Sequence, residues 1–328
     1  MSDLRPDSPI QRPDTARPRQ DAPADVAPPT LEELEAIHRH LVRLPGQEGA
    51  VVEDDPELGV TFVRGPGSGP DLTYAAMPHW DADTWADALA AVRARMLDEG
   101  SWPSLLLTDR LEHPAGLPTE LERQGWMPVV SEVVMVSGRA AVVPHLDPTM
   151  RIEAVRAAAV ETHEELERRV FGLAADQAER RRAAIRAAIE AGALRAWVVW
   201  LGQEPVAVAR LSQADGAAGL QGIGVVEGYR GQGYGTLITT IATRTAMATG
   251  NRLVWLSVRE DNEPAVRAFV ARGVGGVFGW PRGRGSVGRR RRGSGGGGVR
   301  AAAGPWRVRA WGGAGAGGRG GRRGCGWG

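Results

Sequence analysis

Apolar residues recur at helical spacing at Leu31, Leu34, Ile37, Leu41 and Leu44, which predicts an amphipathic helix. Short apolar runs at 50–54, 59–64 and 71–77, parted by Gly, Pro and Asp, predict strands. A helix over 83–97, a buried strand over 104–108, a short helix over 117–124 and a strand over 129–136 complete a first α/β unit. Breaks at Pro128 and Pro144 bound its last strand, and the unit is taken as 31–143. A second unit begins near Met150. Its pattern predicts a strand over 151–157, helices over 161–171 and 176–191, and strands over 195–201, 205–211 and 219–226. A helix over 236–248, a strand over 252–258 and a helix over 263–272 follow. Gly202-Gln203-Glu204 is short enough for a hairpin, and Asn262 followed by Pro264 is a natural start for the last helix.

Both ends of the chain lack either period. Residues 1–30, rich in Pro, Asp and Arg, are expected to form a disordered leader. From Gly273 on, the last 56 residues hold 23 Gly, 12 Arg and four Trp, so 274–328 is expected to be a disordered Gly/Arg-rich tail.

Composition narrows the classes. With 328 residues, 42% apolar and 24% charged, the chain has room for two ordinary soluble domains. No apolar run approaches the ~18 residues of a membrane span, and the N-terminus has no apolar signal segment. A cytoplasmic protein that does not engage a membrane is therefore expected. Cys325 is the only cysteine, which excludes an intrachain disulfide and a multi-cysteine metal site. His38, His40, His79, His113, His145 and His163 include no H-E-x-x-H pattern, and no metal is expected. The net charge of +1 conceals an asymmetry. All 39 acidic residues and 26 of the 40 arginines precede residue 264, a net of −13, and the last 65 residues carry +14.

The chemistry concentrates in Arg230-Gly231-Gln232-Gly233-Tyr234-Gly235, between an apolar run and a helical stretch. A strand that delivers a glycine turn into a helix start gathers free N–H groups and the positive end of a helix dipole, and so suits a phosphate. A Walker A loop needs a lysine, and the chain has none. A G-x-G-x-x-G fingerprint is only two-thirds satisfied, since Ile238 stands at its third glycine, and no acidic residue closes the following strand.

The second unit resembles the GNAT superfamily of N-acetyltransferases. Two motifs carry the resemblance: Arg230-x-x-Gly233-x-Gly235 after the fourth strand, and the strand Leu253-Val-Trp-Leu-Ser-Val258 followed by Asn262-x-x-Ala265 and Arg272-Gly273-Val274. The order β-α-α-β-β-β-α-β-α agrees over 150–273. The resemblance implies a mixed, mostly antiparallel sheet flanked by helices, an α/β (α+β) fold. The smaller first unit faintly resembles a degenerate copy of it.

It also implies an acyl-CoA-dependent N-acyltransferase with acetyl-CoA as co-substrate. The strands 219–226 and 252–258 would splay into a slot for pantetheine, which would pair with Ile223, Gly224 and Val225. The pyrophosphate would rest on the N–H groups of Gly231, Gln232, Gly233, Tyr234, Gly235 and Thr236. Arg230 would brace the turn or reach the phosphates, and Asn262 would contact the cofactor or cap its helix.

Two positions depart from the family. Phe269 stands where a tyrosine often protonates the leaving thiolate, and Gln221 stands near a frequent glutamate base. The catalytic residues are thus unknown from sequence. Proximity with water-borne protons is one route. Ser257, Glu161 and Glu165 could assist, but an ordinary strand residue and solvated helix faces explain them as well. Tyr229 and Tyr234 suit packing beside the turn.

The acceptor stays open between a small amine, a peptide N-terminus and an aminoglycoside. The acidity of the body favours a cationic one. Two further readings stand beside transfer: a non-catalytic acetyl-CoA-binding protein, and a nucleic-acid binder acting through its Arg/Gly tail. The tail, free of Asp and Glu, reads as the product of a frameshift near Gly273 in GC-rich DNA. That would remove two strands and one wall of the acceptor pocket and leave an inactive product. The oligomeric state is not legible.

Overall fold

Eleven strands join edge to edge in one sheet in a computed structural model that describes residues 29–65, 73–108, 110–137, 148–214, 216–270 and 307–312. The strands are β1 (Val51–Asp55), β2 (Val60–Arg64), β3 (Thr73–Ala76), β4 (Ser104–Thr108), β5 (Met127–Ser137), β6 (Met150–Ala154), β7 (Leu194–Leu201), β8 (Glu204–Ala214), β9 (Ala217–Val225), β10 (Leu253–Arg259) and β11 (Arg307–Gly312). The helices are α1 (Leu31–Arg43), α2 (Trp85–Asp98), α3 (Leu117–Arg123), α4 (Val160–Phe171), α5 (Ala175–Glu190), α6 (Tyr234–Ala248) and α7 (Glu263–Val270). The order across the sheet is β1-β2-β3-β4-β11-β5-β10-β9-β8-β7-β6. Only β3–β4 and β9–β10 pair in parallel, so the expected mixed, mostly antiparallel α/β fold is present.

The two halves of the sheet repeat one pattern. An antiparallel series ends in β3, α2 leads to the parallel neighbour β4, and α3 leads on to β5. Likewise a series ends in β9, α6 leads to the parallel neighbour β10, and α7 follows. The next strand of each half is exchanged. β5 pairs antiparallel with β10 of the second half, and β11 pairs antiparallel with β4 of the first.

This exchange corrects two expectations. The Gly/Arg tail is not without structure, since Arg307–Gly312 forms a strand between β4 and β5. Its alternation is only a few residues long and does not stand out in sequence. What forms it is a gap with backbone partners on both sides. The rest of the tail, like the leader through residue 28, lies outside the described residues. The edge beside β10 is not left open either, because β5 fills it from Glu132↔Arg259 to Ser137↔Val254.

The helix α1 joins the halves from one face. Thr30 and Glu33 form a reciprocal capping box that fixes its start. Its Leu34, Ile37 and Val42 pack with Val63 and Leu106 of the first half and with Ala217, Leu253 and Trp255 of the second. Trp255 is 1% exposed. Its indole Nε1 donates to His40 Nδ1 at 3.2 Å, and His40 Nε2 meets Ser212 Oγ at 2.9 Å. No helix among the described residues is long and apolar enough to cross a membrane.

Candidate functional site

β9 and β10 are hydrogen-bonded only from Ala217↔Leu253 to Leu220↔Leu256. β9 continues to Val225 and β10 to Arg259, so the two strands part into a slot. The cause is local. β9 carries an extra residue between Gln221 and Gly224, where its register with β8 shifts, and Gly222 takes a φ of +55°. Ile223, Gly224 and Val225 follow the bulge and line the slot.

Small size at Gly222 and Gly224 is forced by α4. A Cβ at Gly222 would stand 2.3 Å from Glu167 Oε1. One at Gly224 would stand 2.5 Å from Val170 and 2.7 Å from Phe171.

The glycine turn lies at the end of the slot. After a 3-10 turn at Glu227–Tyr229, Gly231 and Gly233 adopt φ of +76° and +93°, values suited to glycine. Gly233 is the N-cap of α6, and the first bond of its ladder runs from Leu237 N–H to Gly233 O. The N–H groups of Tyr234, Gly235 and Thr236 therefore precede the ladder. Among the described residues, chain neighbours aside, no atom lies within 4 Å of a Cβ built on Gly231 or Gly233, so the turn is open above its backbone. Arg230 Nε donates to Val225 O at 3.1 Å, and Gln232 Nε2 to Gly228 O at 3.2 Å, which braces the turn. Asn262 Oδ1 accepts from Ala265 N–H at 3.3 Å, as a helix cap does, and the residue also lines the cavity.

A cavity of about 750 Å³ runs from this turn along the slot into the first half. Gln221, Ser257 and Phe269 line it, whereas Glu161 and Glu165 do not. Glu161 pairs with Arg186, and Glu165 with Arg168 at 2.7 Å. Tyr229 donates to Glu204 at 2.7 Å and packs edge-on against the buried Tyr234.

The cavity has a second wall. It comes from the first half: Leu41, Leu44, Glu48, Tyr74, Leu106, Val130 and Glu132. Glu132, 8% exposed, stands opposite Arg259 in register, with Ser257 near its carboxyl. Burial pushes its carboxyl pKa up, against the pull of Ser257 and Arg259. Its Oε1 and the Nε2 of Gln221 have no hydrogen-bond partner among the described residues. Only the β5–β10 register brings Glu132 here, and the sequence carries no signal of that pairing.

Beneath the slot lies a buried ionic cluster. Glu48 contacts Arg210 at 2.5 Å and Arg181 at 3.1 Å, and Glu167 contacts the same arginines at 2.8 and 2.9 Å. The Glu167 Oε1–Arg210 Nε contact is close without hydrogen-bond alignment. Burial alone would raise the Glu167 pKa, but Arg210 and Arg181 outweigh it and hold the carboxyl at about 2. His163, Glu164 and Glu167 offer potential metal-ligand atoms within 4.8 Å of one another. Glu167 is already held by two guanidiniums and His163 Nδ1 lies 3.2 Å from Glu164, while His163 Nε2 and Glu164 Oε2 have no hydrogen-bond partner among the described residues.

Residues 158–275 match the family model described as Acetyltransferase (GNAT) family. No curated protein matches the chain. Among solved structures, a GCN5-related N-acetyltransferase from Kribbella flavida is similar at 20% identity and a TM-score of 0.53, over 70% of this chain and 86% of that one. A tandem GNAT protein from the clavulanic acid biosynthesis pathway is similar at 13% identity and a TM-score of 0.52, over 77% of each chain. A GCN5-related N-acetyltransferase from Sphaerobacter thermophilus gives 13% and 0.51, over 74% and 90%. At these identities the likeness is one of fold.

Proposed function

We propose that this chain, whose residues 158–275 match the acetyltransferase (GNAT) family model, moves an acetyl group from acetyl-CoA to a primary amine by direct transfer. The observation that carries this is the parting of β9 from β10 beyond Leu220↔Leu256, with an open glycine turn at the end of the slot. Acetyl-CoA supplies the activated thioester. The unpaired edge at Ile223, Gly224 and Val225 is suited to add its pantetheine arm like a strand. The N–H groups from Gly231 to Thr236, with the N-terminus of α6, are suited to its pyrophosphate. Arg230 keeps the turn in shape, Asn262 caps α7 beside the slot, and the cavity beyond receives the amine.

Titration calorimetry with acetyl-CoA tests the reading, followed by thiol release across a panel of amines. Saturable binding and amine-dependent release of coenzyme A are expected. Absence of any heat, together with an unchanged Tm at millimolar acetyl-CoA, would overturn it. One observation favours a second reading, a non-catalytic acetyl-CoA-binding protein: Gln221 and Phe269 line the cavity where the family often has its base and acid. Its mark is binding without thiol release.

A further inference from the structure

We propose that the acceptor is a primary amine on an apolar body without a carboxylate, and that Glu132, lent by the first half of the chain, receives its ammonium and takes its proton. This rests on the acetyl-transfer reading above.

Three observations carry it. First, Glu132 lines the cavity, is almost fully buried, and has one carboxylate oxygen without a hydrogen-bond partner among the described residues. A buried acceptor in this state is costly until a donor reaches it, and a cation suits a carboxylate best. Arg259, its cross-strand neighbour, is engaged by Asp261 at 2.7 and 3.0 Å.

Second, the other charges lining the cavity are already matched. Arg181 and Arg210 share Glu48 and Glu167, and Arg230 braces Val225 O at the turn. An acceptor carboxylate would find Arg181 and Arg210 already paired, and Arg230 bound to a backbone carbonyl at the far, glycine-turn end. A polycation such as an aminoglycoside would find one carboxylate with a vacant oxygen.

Third, Leu41, Leu44, Leu106 and Val130 make most of this wall apolar, beside Tyr74 and the arginine-paired Glu48. An alkyl or arylalkyl body is matched there, and a peptide backbone, with N–H and C=O groups to satisfy, is not. Across the slot, Gln221 Nε2 is the one other lining side-chain atom so placed that has no close polar contact among the described residues. It can donate to a water or to the acceptor.

The step balances. The ammonium gives one proton to the Glu132 carboxylate, and the freed nitrogen lone pair forms the C–N bond at the thioester carbonyl carbon. The C–S bond breaks with its electron pair going to sulfur. The second nitrogen proton passes to the thiolate as the amide forms, and the Glu132 proton is returned to solvent.

Wild type, Glu132→Gln and Glu132→Asp are compared for acetyl-CoA affinity and for thiol release with 2-phenylethylamine, hexylamine, phenylalanine and kanamycin. The two apolar amines should exceed phenylalanine and kanamycin at least tenfold in kcat/KM. Glu132→Gln should lower kcat by about 10²-fold or more, with acetyl-CoA affinity unchanged within about twofold. In wild type, kcat should rise with pH through the raised carboxyl pKa. Arg259, Tyr74 and Glu48 are the other ionisable groups near Glu132, and all remain in the variants. Glu132→Gln should abolish that limb and Glu132→Asp should retain it, which a merely structural role would not produce. Failure of wild type to bind acetyl-CoA overturns the transfer reading and this inference together. Binding with preferred transfer to phenylalanine or kanamycin, transfer to no amine, or an intact acid limb in Glu132→Gln overturns this inference alone.

Discussion

The two parallel strand pairs of the sheet have the same connectivity and opposite interiors. β9 reaches α6 through 226–233, which closes with Arg230-Gly231-Gln232-Gly233, an open turn with two positive-φ glycines. β3 reaches α2 through 77–84, which opens with Met77-Pro78-His79-Trp80. There the Trp80 indole is buried, donates to Leu58 O at 2.7 Å, and packs with Phe62, Leu89 and Leu105. One crossover ends in glycines that stand open above their backbone, and the other buries an aromatic ring in the core of its own half. A topology that places a helix N-terminus at a strand end is thus not enough for an anion seat. The residues of the turn decide whether the seat exists. The closed half keeps another use. Through β5 and the Leu44–Glu48 turn it contributes the far wall of the open half's cavity.

The sharpest way to break this partnership is Glu48→Ala. It would leave Arg210, 4% exposed, and Arg181, 7% exposed, without the partner that the first half supplies. Removing one member of a buried ionic group costs about 3–5 kcal/mol. Urea unfolding should show that loss, with cavity-dependent activity falling alongside it. A loss below about 1 kcal/mol would mean that the halves are joined by α1 and β5 alone.

Acid probes the same cluster more gently. The Glu167 carboxyl is held down at about 2, against its unperturbed 4.5, so it contributes stability that is full above about pH 4.5. That contribution is lost as pH falls toward 2, and it amounts to about 3 kcal/mol at most. The stability gap between wild type and Glu167→Gln should therefore narrow steadily from pH 4.5 to 2. A constant gap would contradict the depressed pKa.

Much of the open half is legible in the sequence because its determinants are contiguous. The turn, the cap at Asn262 and the strand before them fall within 217–265 and follow from local rules about glycine, caps and period. The acceptor wall is assembled from Leu41 to Glu48, Tyr74, Leu106 and Val130 to Glu132, four segments whose meeting depends on which strand fills the edge beside β10. Strand exchange is a long-range choice with no periodic trace. For the same reason Glu132 reads in sequence as one polar residue in an apolar strand, and β11 reads as part of a Gly/Arg run. Glu161 and Glu165 stand apart from the cavity lining, each engaged by an arginine.

On the open half itself, Gly224→Ala tests how closely α4 presses on the slot. The added Cβ would meet Val170 at 2.5 Å and Phe171 at 2.7 Å, so one of them must move. Overpacking of this kind costs about 1–3 kcal/mol. Because Gly224 borders the slot, acetyl-CoA affinity should fall along with Tm. A variant with wild-type stability and a wild-type Kd would show that α4 yields freely and that Gly224 is dispensable.

The smallest expected effect separates the two proton tasks of the reaction. Phe269 lines the cavity on α7, where the family often has a tyrosine to protonate the departing sulfur. A thiol with a pKa near 8.5 is a good leaving group at neutral pH and needs little acid help. Removing a proton from an ammonium is the more demanding task, and on the structural grounds above it falls to Glu132 in the wall lent by the first half. Phe269→Tyr should accordingly change kcat by less than about threefold, well short of the ~10²–10⁴ that a limiting general acid contributes. A rise of about 10²-fold with 2-phenylethylamine would reverse the assignment. It would place the slow proton transfer at the sulfur, within the open half, and leave the borrowed wall to shape the acceptor site alone.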